Sequence, residues 1–295
     1  MPQYLFLINP QAGNRQGGRL AGIITRYCSR RGISFHIQDT PADGNYQPIA
    51  AAITATDITH VIVCGGDGTI SAAVSALRHL PVYFGIIPLG SGNGLALAAG
   101  IPRNSRKALD IIFRNHTIAA DAVQVNGYFS CMLTGLGFDA QVAHLFDRQQ
   151  RRGFWKYAQL TFRHFWHMRP YRVTLQTDEG PLRVTALMVC VATANQFGNH
   201  FTIAPRAQLT DGKMDVVVLL HGNRLQFLVR VLRQLFLGRP GPFNKAVQGI
   251  HYFQCRRILI ENTEGAPLHV DGDGKPTALT LPCEVLPGAY RLLVP

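Results

Sequence analysis

The chain has 295 residues, of which 47% are hydrophobic and 16% are charged, so extensive disorder is excluded and one large or two modest domains are expected. The 29 basic and 17 acidic residues give a net charge of +12, which indicates a polyanionic partner: nucleic acid, an anionic membrane or nucleotide phosphates. The six cysteines include no CxxC pair, which argues against a zinc site or a disulfide framework and favours a reducing cytosol.

The first 118 residues alternate strand-like and helix-like segments. Compact apolar runs, each followed by a helix-compatible segment, predict buried strands at residues 4–8, 33–38, 60–64 and 82–87. Short glycine-containing turns connect the segments. The pattern is typical of a doubly wound α/β domain with a parallel sheet, which we place at residues 1–118.

After residue 118 the pattern changes to short strands separated by Gly, Pro, Asn and Asp turns. Asn126-Gly127 lies between two strand-like segments, 119–125 and 128–133, and is a strong hairpin signal. Further strands are predicted at residues 171–176, 182–192, 214–220, 251–254, 257–261, 278–281 and 290–294. These segments predict an antiparallel β-sandwich-like domain over residues 119–295, with the option that the last strand returns to the first domain.

Three glycine-bearing loops follow predicted strands of the first domain. Their sequences are NPQAG at residues 9–13, GGDGT at residues 65–69 and GSGNG at residues 90–94. Loops beyond the carboxyl ends of parallel strands converge on one crevice, and glycines let backbone N–H groups approach phosphate oxygens. Asp67 would repel a phosphate unless a cation bridged them, so it predicts a Mg²⁺–nucleotide site. The alternative is that the glycines only form strand-to-helix turns.

The order of these blocks resembles the diacylglycerol kinase catalytic superfamily, which includes bacterial lipid kinases and sphingosine and ceramide kinases. The later Val270-Asp271-Gly272-Asp273 falls where that family carries its DGE-type motif. The resemblance implies an α/β nucleotide-binding domain followed by a β-sandwich-like domain. It also implies that ATP is surrounded by Asn9, Thr40, Gly65, Gly66, Asp67, Gly68, Thr69 and Ser91.

Two further roles follow from the same resemblance. Asp271 or its neighbour Asp273 is implied as the general base acting on a lipid hydroxyl, and Asp271, expected in a tight exposed turn, is the leading candidate. A structural Mg²⁺ is implied at Gln208, Asp211 and Lys213, within the sequence QLTDGK. Taken as isolated sequences, both segments also have the composition of ordinary turns.

Basic and aromatic residues are interleaved in the second half of the chain. Residues 148–172 contain seven Lys or Arg residues, both tryptophans and no acidic residue, and residues 154–168 fit a helix. A second basic amphipathic segment covers residues 223–237. Such helices are typical of membrane interfaces, so we expect docking on an anionic membrane surface. The alternative is core-packed helices with solvated arginine faces.

The leading hypothesis is therefore an ATP- and Mg²⁺-dependent lipid kinase, cytoplasmic and peripherally membrane-associated. Its acceptor would be a primary hydroxyl of diacylglycerol or of a sphingoid or ceramide-type lipid. One alternative is an NAD kinase-like soluble kinase, which shares GGDGT. Another is a degenerate nucleotide-binding regulator, because Gly94 and Leu97 replace an aspartate and an arginine common in the family. No nucleic acid is expected as a partner, because no recognised nucleic-acid motif is present, and homodimer formation is left open.

Overall fold

The computed structural model describes residues 2–15, 17–147, 154–199, 201–222 and 249–295. The chain forms two compact units. Unit 1 comprises Met1–Ala120 and Gly288–Pro295, and unit 2 comprises Asp121–Pro287. The division thus lies two residues beyond the boundary that the sequence predicts, and the end of the chain belongs to unit 1.

Unit 1 alternates strands and helices around a parallel sheet. Its elements are β1 (Gln3–Ile8), a 3₁₀ turn (Ala12–Arg15), α1 (Gly17–Ser29), β2 (Phe35–Asp39), α2 (Gln47–Ala55), β3 (Ile58–Gly65), α3 (Asp67–Leu77), β4 (Tyr83–Pro88), α4 (Gly94–Ala98) and α5 (Ser105–Arg114). The strand order is β2-β1-β3-β4, and all of these pairs are parallel.

The register of this sheet brings the carboxyl ends of its strands level. Ile8, at the end of β1, pairs with Asp39 on one side and with Cys64 on the other. Gly65, at the end of β3, pairs with Pro88 at the end of β4. The chain segments that leave these four strands therefore begin side by side along one edge of the sheet. The central strands are almost wholly buried, as expected of a parallel sheet covered on both faces.

Unit 2 is built mainly from antiparallel strands. In chain order, its elements and the strand leading into it are β5 (Thr117–Val125), β6 (Tyr128–Ser130), β7 (Leu133–Gly137), α6 (Phe138–Asp147), α7 (Phe154–Phe165), β8 (Tyr171–Thr177), β9 (Gly180–Ala192), β10 (Gln196–Gly198), β11 (Phe201–Thr202), β12 (Met214–Leu220), β13 (Ile250–Cys255), β14 (Arg257–Glu261), β15 (Leu268–Val270), β16 (Asp273–Lys275) and β17 (Thr280–Leu293). The fold class predicted from the sequence is confirmed for both parts of the chain.

Two tight hairpins in unit 2 use the same turn chemistry. Asn126-Gly127 joins β5 to β6, with Val125 paired to Tyr128, which confirms the predicted hairpin. Asp271-Gly272 joins β15 to β16. Both turn residues have positive φ in each case (44° and 85° in the first turn, 49° and 89° in the second), the conformation for which Asn-Gly and Asp-Gly are favoured.

The end of the chain differs from the prediction of two short strands. β17 is one strand of 14 residues, although its sequence contains Pro282 and Pro287. Residues 280–284 of β17 pair with β14 within unit 2, and residues 291–292 pair with β4 within unit 1. Pro282 and Pro287 interrupt the strand signal in the sequence, because proline is depleted from strand interiors.

The helical predictions for the second half of the chain are tested only in part. The helix predicted at residues 154–168 is α7, which ends at Phe165, whereas α6 was not predicted. The amphipathic segment predicted at residues 223–237 lies outside the described residues. Within the described ranges, no helix combines the length and the apolar character needed to cross a membrane.

Candidate active site

Residues at the ends of three strands of unit 1 are linked directly by hydrogen bonds. Asn9, which follows β1, donates from Nδ2 to Oγ1 of Thr69 (2.8 Å), and its backbone N–H donates to the carbonyl of Cys64 (2.9 Å). The backbone N–H of Thr40, which follows β2, donates to the carbonyl of Ile8 (2.9 Å). The level strand ends thus bring together residues that lie far apart in sequence.

The second and third glycine loops touch through their backbones. A Cβ atom added to Gly90 would lie 2.6 Å from the Cα atom of Gly66, and one added to Gly66 would lie 3.2 Å from the Cα of Gly90. A Cβ added to Gly65 would lie 2.7 Å from the Cβ of Thr69. The N–H of Leu89 donates to the carbonyl of Gly65 (2.8 Å). These glycines therefore have a packing reason beyond turn formation.

Asp67 stands at the start of α3, immediately before Gly68, and its side chain is half-buried. Its Oδ1 accepts from the N–H of Leu95 at 3.4 Å, which joins the second loop to the start of α4.

Asn93 is buried, has a left-handed backbone (φ 56°) and stabilises the third loop. Its Oδ1 accepts from the N–H of Gly90 (2.8 Å), and its Nδ2 donates to the carbonyl of Gly90 (2.7 Å).

One basic side chain at the third loop was missed by the sequence reasoning. Nη2 of Arg103 donates to the carbonyls of Ser91 (3.3 Å) and Gly92 (3.2 Å). Ser91 itself is exposed. No sequence signal marks Arg103, because it lies outside every motif and approaches the loop from 11 or 12 residues downstream.

The Asp271 carboxylate is buried in unit 2 and surrounded by hydrogen-bond donors. Its Oδ1 accepts from Oγ of Ser130 (2.7 Å) and from the N–H groups of Met132 (3.1 Å) and Leu133 (3.0 Å). Its Oδ2 accepts from the N–H of Cys131 (2.9 Å) and from the Sγ–H of the same residue (3.6 Å). The side chain therefore caps the segment leading into β7 and has little accepting capacity left for a substrate.

Asp273, at the other side of the same turn, has the opposite environment. Its side chain is 56% exposed, and its Oδ2 lies 4.0 Å from Nζ of Lys275. The hairpin thus directs Asp271 inward and Asp273 toward solvent. The expectation that Asp271 is exposed is therefore wrong, because its side chain points into unit 2. Of the two carboxylates implied as a general base, only Asp273 is accessible to an incoming hydroxyl.

The region implied as a structural metal site is a loop of unit 2 rich in oxygen atoms. Oδ1 of Asp211 accepts from the N–H of Lys213 (3.0 Å). The side-chain amide of Gln254 donates to Oδ2 of Asp211 (3.4 Å) and to Oδ2 of the buried Asp215 (3.1 Å). Gln208 is exposed in the same loop, and none of these contacts involves its side chain.

Burial raises the pKa of the Asp215 carboxyl group, and the nearby Asp211 carboxylate raises it further. Hydrogen bonds from Tyr252 and Gln254 oppose this rise by favouring the charged form. Within the described ranges, no group of three or more His, Cys, Asp or Glu side chains is arranged to hold a metal ion. A cation here would need backbone carbonyls beside Asp211, a hard-oxygen donor set that suits Mg²⁺.

Aromatic side chains are exposed at the end of α7. Phe162 is 58% exposed and Trp166 is 49% exposed, and they are spaced by about one helical turn. The exposed side chains of Arg163, His167 and Arg169 surround them in sequence. An aromatic and basic surface is therefore present at this point of unit 2.

Two family models together match nearly the whole chain. The diacylglycerol kinase catalytic domain matches residues 3–125, and the YegS C-terminal NAD kinase beta sandwich-like domain matches residues 133–294, more than half of the chain. The chain belongs to the diacylglycerol kinase superfamily. Members of this superfamily include lipid kinases, and the first matched region contains all three glycine loops.

Individual relatives agree with the family. The "Probable lipid kinase YegS-like" of Chromohalobacter salexigens is 25% identical over 261 residues, which cover 84% of this chain and 79% of the relative. The diacylglycerol kinase of Bacillus subtilis is 27% identical over 245 residues, covering 81% of this chain and 78% of the relative. A crystal structure of a candidate diacylglycerol kinase from Bacillus anthracis matches with a TM-score of 0.82 at 20% identity, covering 99% of this chain and 95% of that one, and thus shares the fold.

The contact between Gly66 and Gly90 predicts that Gly90→Ala separates the two loops. We expect the free energy of unfolding to fall by about 1–3 kcal/mol because the added methyl group meets backbone, which cannot rotate away. Gly22→Ala in α1 is the matched control, since nothing lies within 4 Å of its added Cβ. Urea unfolding of both variants makes the comparison, and equal stability of the two would contradict the observed packing.

The two carboxylates of the β15–β16 turn predict opposite responses to amide substitution. Asp271→Asn places an NH₂ group among five donors, so we expect a loss of about 1–3 kcal/mol in the free energy of unfolding. Asp273→Asn is exposed and should change stability by less than about 0.5 kcal/mol. Thermal and urea unfolding test this; an Asp271→Asn variant as stable as Asp273→Asn would be evidence against the capping role.

Proposed function

We propose that this chain is an ATP-dependent lipid kinase that transfers the γ-phosphoryl group to a primary hydroxyl of a membrane lipid. The observation that carries the proposal is the backbone contact between the second and third glycine loops, beside the hydrogen bond from Asn9, after β1, to Thr69 in the first turn of α3. Because the loops consist largely of glycine, no side chains separate their backbone N–H groups from the oxygens of a bound phosphate.

Each loop residue then has a role in holding ATP. Gly65, Gly66 and Gly68 allow the phosphates to lie against backbone, and the start of α3 adds a favourable helix dipole. Asn9, Thr40, Thr69 and Ser91 contribute polar contacts around the nucleotide. Asp67 would hold Mg²⁺, either directly or through water, and the ion would supply neutralisation of phosphate charge. The half-buried carboxylate beside close-packed glycines fits such an ion.

The proton of the acceptor hydroxyl goes to Asp273 in this proposal. The lipid oxygen forms a bond to the γ-phosphorus, the bond between that phosphorus and the β–γ bridging oxygen breaks, and ADP leaves. Asp273 is favoured over Asp271 because its carboxylate is exposed, whereas that of Asp271 is engaged by Ser130 and three backbone N–H groups. Asp271 then anchors the turn that presents the base.

The segment at Gln208, Asp211 and Lys213 is proposed as a structural Mg²⁺ site. Support comes from the donor chemistry, since the Asp211 carboxylate and neighbouring carbonyls are hard oxygen ligands. The buried Asp215 nearby, linked to Asp211 through Gln254, adds negative charge that a cation would offset. We assign no catalytic step to this site.

The lipid acceptor implies work at a membrane surface, so we propose a cytoplasmic protein that binds membranes peripherally. Exposed Phe162 and Trp166, with Arg163 beside them, supply apolar and cationic contacts suited to an anionic interface. The acceptor class covers diacylglycerol and sphingoid or ceramide-type lipids. No role for nucleic acid is proposed, and homodimer formation is left open.

The proposed reaction is tested with labelled ATP, Mg²⁺ and mixed micelles of diacylglycerol, sphingoid base or ceramide, with NAD as a separate acceptor. We expect label in one of the lipids. Asp67→Asn should lower kcat by about 10²–10³-fold through lost charge stabilisation, and Asp273→Asn by about 10²–10⁴-fold through lost base catalysis.

The matched control for this assay is Asp57→Asn, which changes an exposed carboxylate outside the loops and should leave kcat unchanged. Label on NAD alone would favour a soluble NAD kinase-like enzyme. ATP binding without any labelled product would favour a nucleotide-binding regulator. Wild-type turnover in both the Asp67→Asn and Asp273→Asn variants would sink the proposed roles of these residues.

Membrane docking through the end of α7 predicts that a Phe162→Ser/Trp166→Ser variant binds anionic vesicles at least about tenfold more weakly, a change of about 1.4 kcal/mol. Leu279→Ser is the control, because Leu279 is 65% exposed and lies in another part of the chain. Co-sedimentation with phosphatidylglycerol vesicles at low and high salt provides the measurement. Equal losses in both variants would indicate nonspecific hydrophobic binding.

A further inference from the structure

A buried histidine–aspartate pair lies in unit 2 outside every motif discussed so far. Nε2 of His269, in β15, is 3.1 Å from Oδ2 of Asp139, in the first turn of α6. The two side chains are only 2% and 5% exposed. A buried polar group without a hydrogen-bond partner destabilises the fold, so the partners of both side chains indicate what the pair stabilises.

The chain leaves a specific space for this pair. β15 pairs with β7 so that His269 lies opposite Gly135. A Cβ atom added to Gly135 would lie 1.7 Å from Oδ2 of Asp139 and 2.6 Å from Nε2 of His269. The other carboxylate oxygen of Asp139 accepts from the N–H of Ala140 (2.9 Å), at a helix N-terminus where negative charge is favoured.

The hydrogen bonds fix which nitrogen of His269 carries the proton. The backbone N–H of Gly272 lies 3.2 Å from Nδ1 of His269. A backbone N–H group only donates, so Nδ1 is the acceptor and carries no proton. Nε2 then carries the proton of the neutral ring and donates it to Asp139. The result is a continuous path of hydrogen bonds from Asp139 through His269 to the backbone of Gly272.

Gly272 is the residue between Asp271 and Asp273, so this path ends in the turn that presents the proposed base. We propose that His269, oriented by Asp139, is a positioning residue that fixes the direction of Asp273. The inference rests on the proposed function. Asp271 anchors one side of the turn to the segment before β7, and the Gly272 N–H bond to His269 anchors the other.

A second histidine supports the same hairpin from α6. Nε2 of His144 lies 2.8 Å from the carbonyl oxygen of Leu268, and the added Cβ of Gly274 would lie 2.9 Å from Nδ1 of His144. Gly272 before Asp273 is therefore hydrogen-bonded to His269, and Gly274 after it packs against the His144 ring, although the carboxylate of Asp273 is exposed. Tight positioning matters because a displacement of about 1 Å in a reacting group can cost about 10²-fold in rate.

Two substitutions separate the two hydrogen bonds of His269. In His269→Asn, Oδ1 takes the place of Nδ1 and can still accept from Gly272, while the bond to Asp139 is lost. In His269→Gln, Nε2 can still donate to Asp139, while the acceptor for Gly272 is lost. We expect His269→Gln to lower kcat for lipid phosphorylation at least about tenfold with KM for ATP unchanged, and His269→Asn to stay within about threefold.

The Tm of each variant is measured alongside kcat, so that a loss of activity caused by unfolding can be recognised. Comparable Tm values with the expected split in kcat would support positioning. Equal kcat in both variants and the wild type, or losses that simply follow a drop in Tm, would overturn it.

A measurement independent of turnover uses NMR of the wild-type protein. Long-range ¹H–¹⁵N spectra should place the proton of His269 on Nε2, and exchange of the Gly272 amide should accelerate in His269→Gln but not in His269→Asn. A proton on Nδ1 in the wild type, or unchanged exchange in His269→Gln, would refute the inference. If the wild type shows the expected NMR behaviour but phosphorylates no lipid, the proposed function fails while the His269–Gly272 contact stands.

Discussion

The backbone contact between Gly66 and Gly90 is the constraint on which the proposed nucleotide site of unit 1 depends. A parallel sheet with level strand ends brings the loops to one edge, but side chains at these two positions would hold the loops apart. Because both residues are glycines, the two backbones meet. The hydrogen bond from Asn9 to Thr69 joins the end of β1 to the same loops. A phosphate chain is recognised by several N–H groups at once, so the separation of loops decides whether they act as one site.

The turn between β15 and β16 places two aspartate side chains, Asp271 and Asp273, in opposite environments. A hairpin of two residues with positive φ places Asp271 over the segment leading into β7, where the polar groups of Ser130 and Cys131 need an acceptor. It leaves Asp273 facing solvent at the start of the next strand. A carboxylate engaged by five donors stabilises structure, whereas an exposed one can take up a proton. The same turn therefore holds one carboxylate in a buried hydrogen-bond network and leaves the other exposed.

The sequence predicted those features whose determinants are local. β12 and β14 have the predicted bounds, and Asn126-Gly127 forms the expected hairpin, because an apolar run, an alternating pattern and turn chemistry each act over a few residues. The glycine loops were found for the same reason. The inward direction of Asp271 was not predictable, because its partners lie about 140 residues earlier in the chain. His269 and Asp139, 130 residues apart, likewise carry no shared local pattern.

At Gly94 and Leu97 the chain lacks the aspartate and arginine common in the family, and other residues stabilise the third loop. Asn93 bonds to both polar backbone groups of Gly90, and Arg103 bonds to the carbonyls of Ser91 and Gly92. Arg103 therefore places a guanidinium beside a loop that lacks the arginine common at the position of Leu97. Asp67 adds a further link, because its Oδ1 accepts from the N–H of Leu95 and so joins the second loop to the start of α4 without the aspartate that Gly94 replaces.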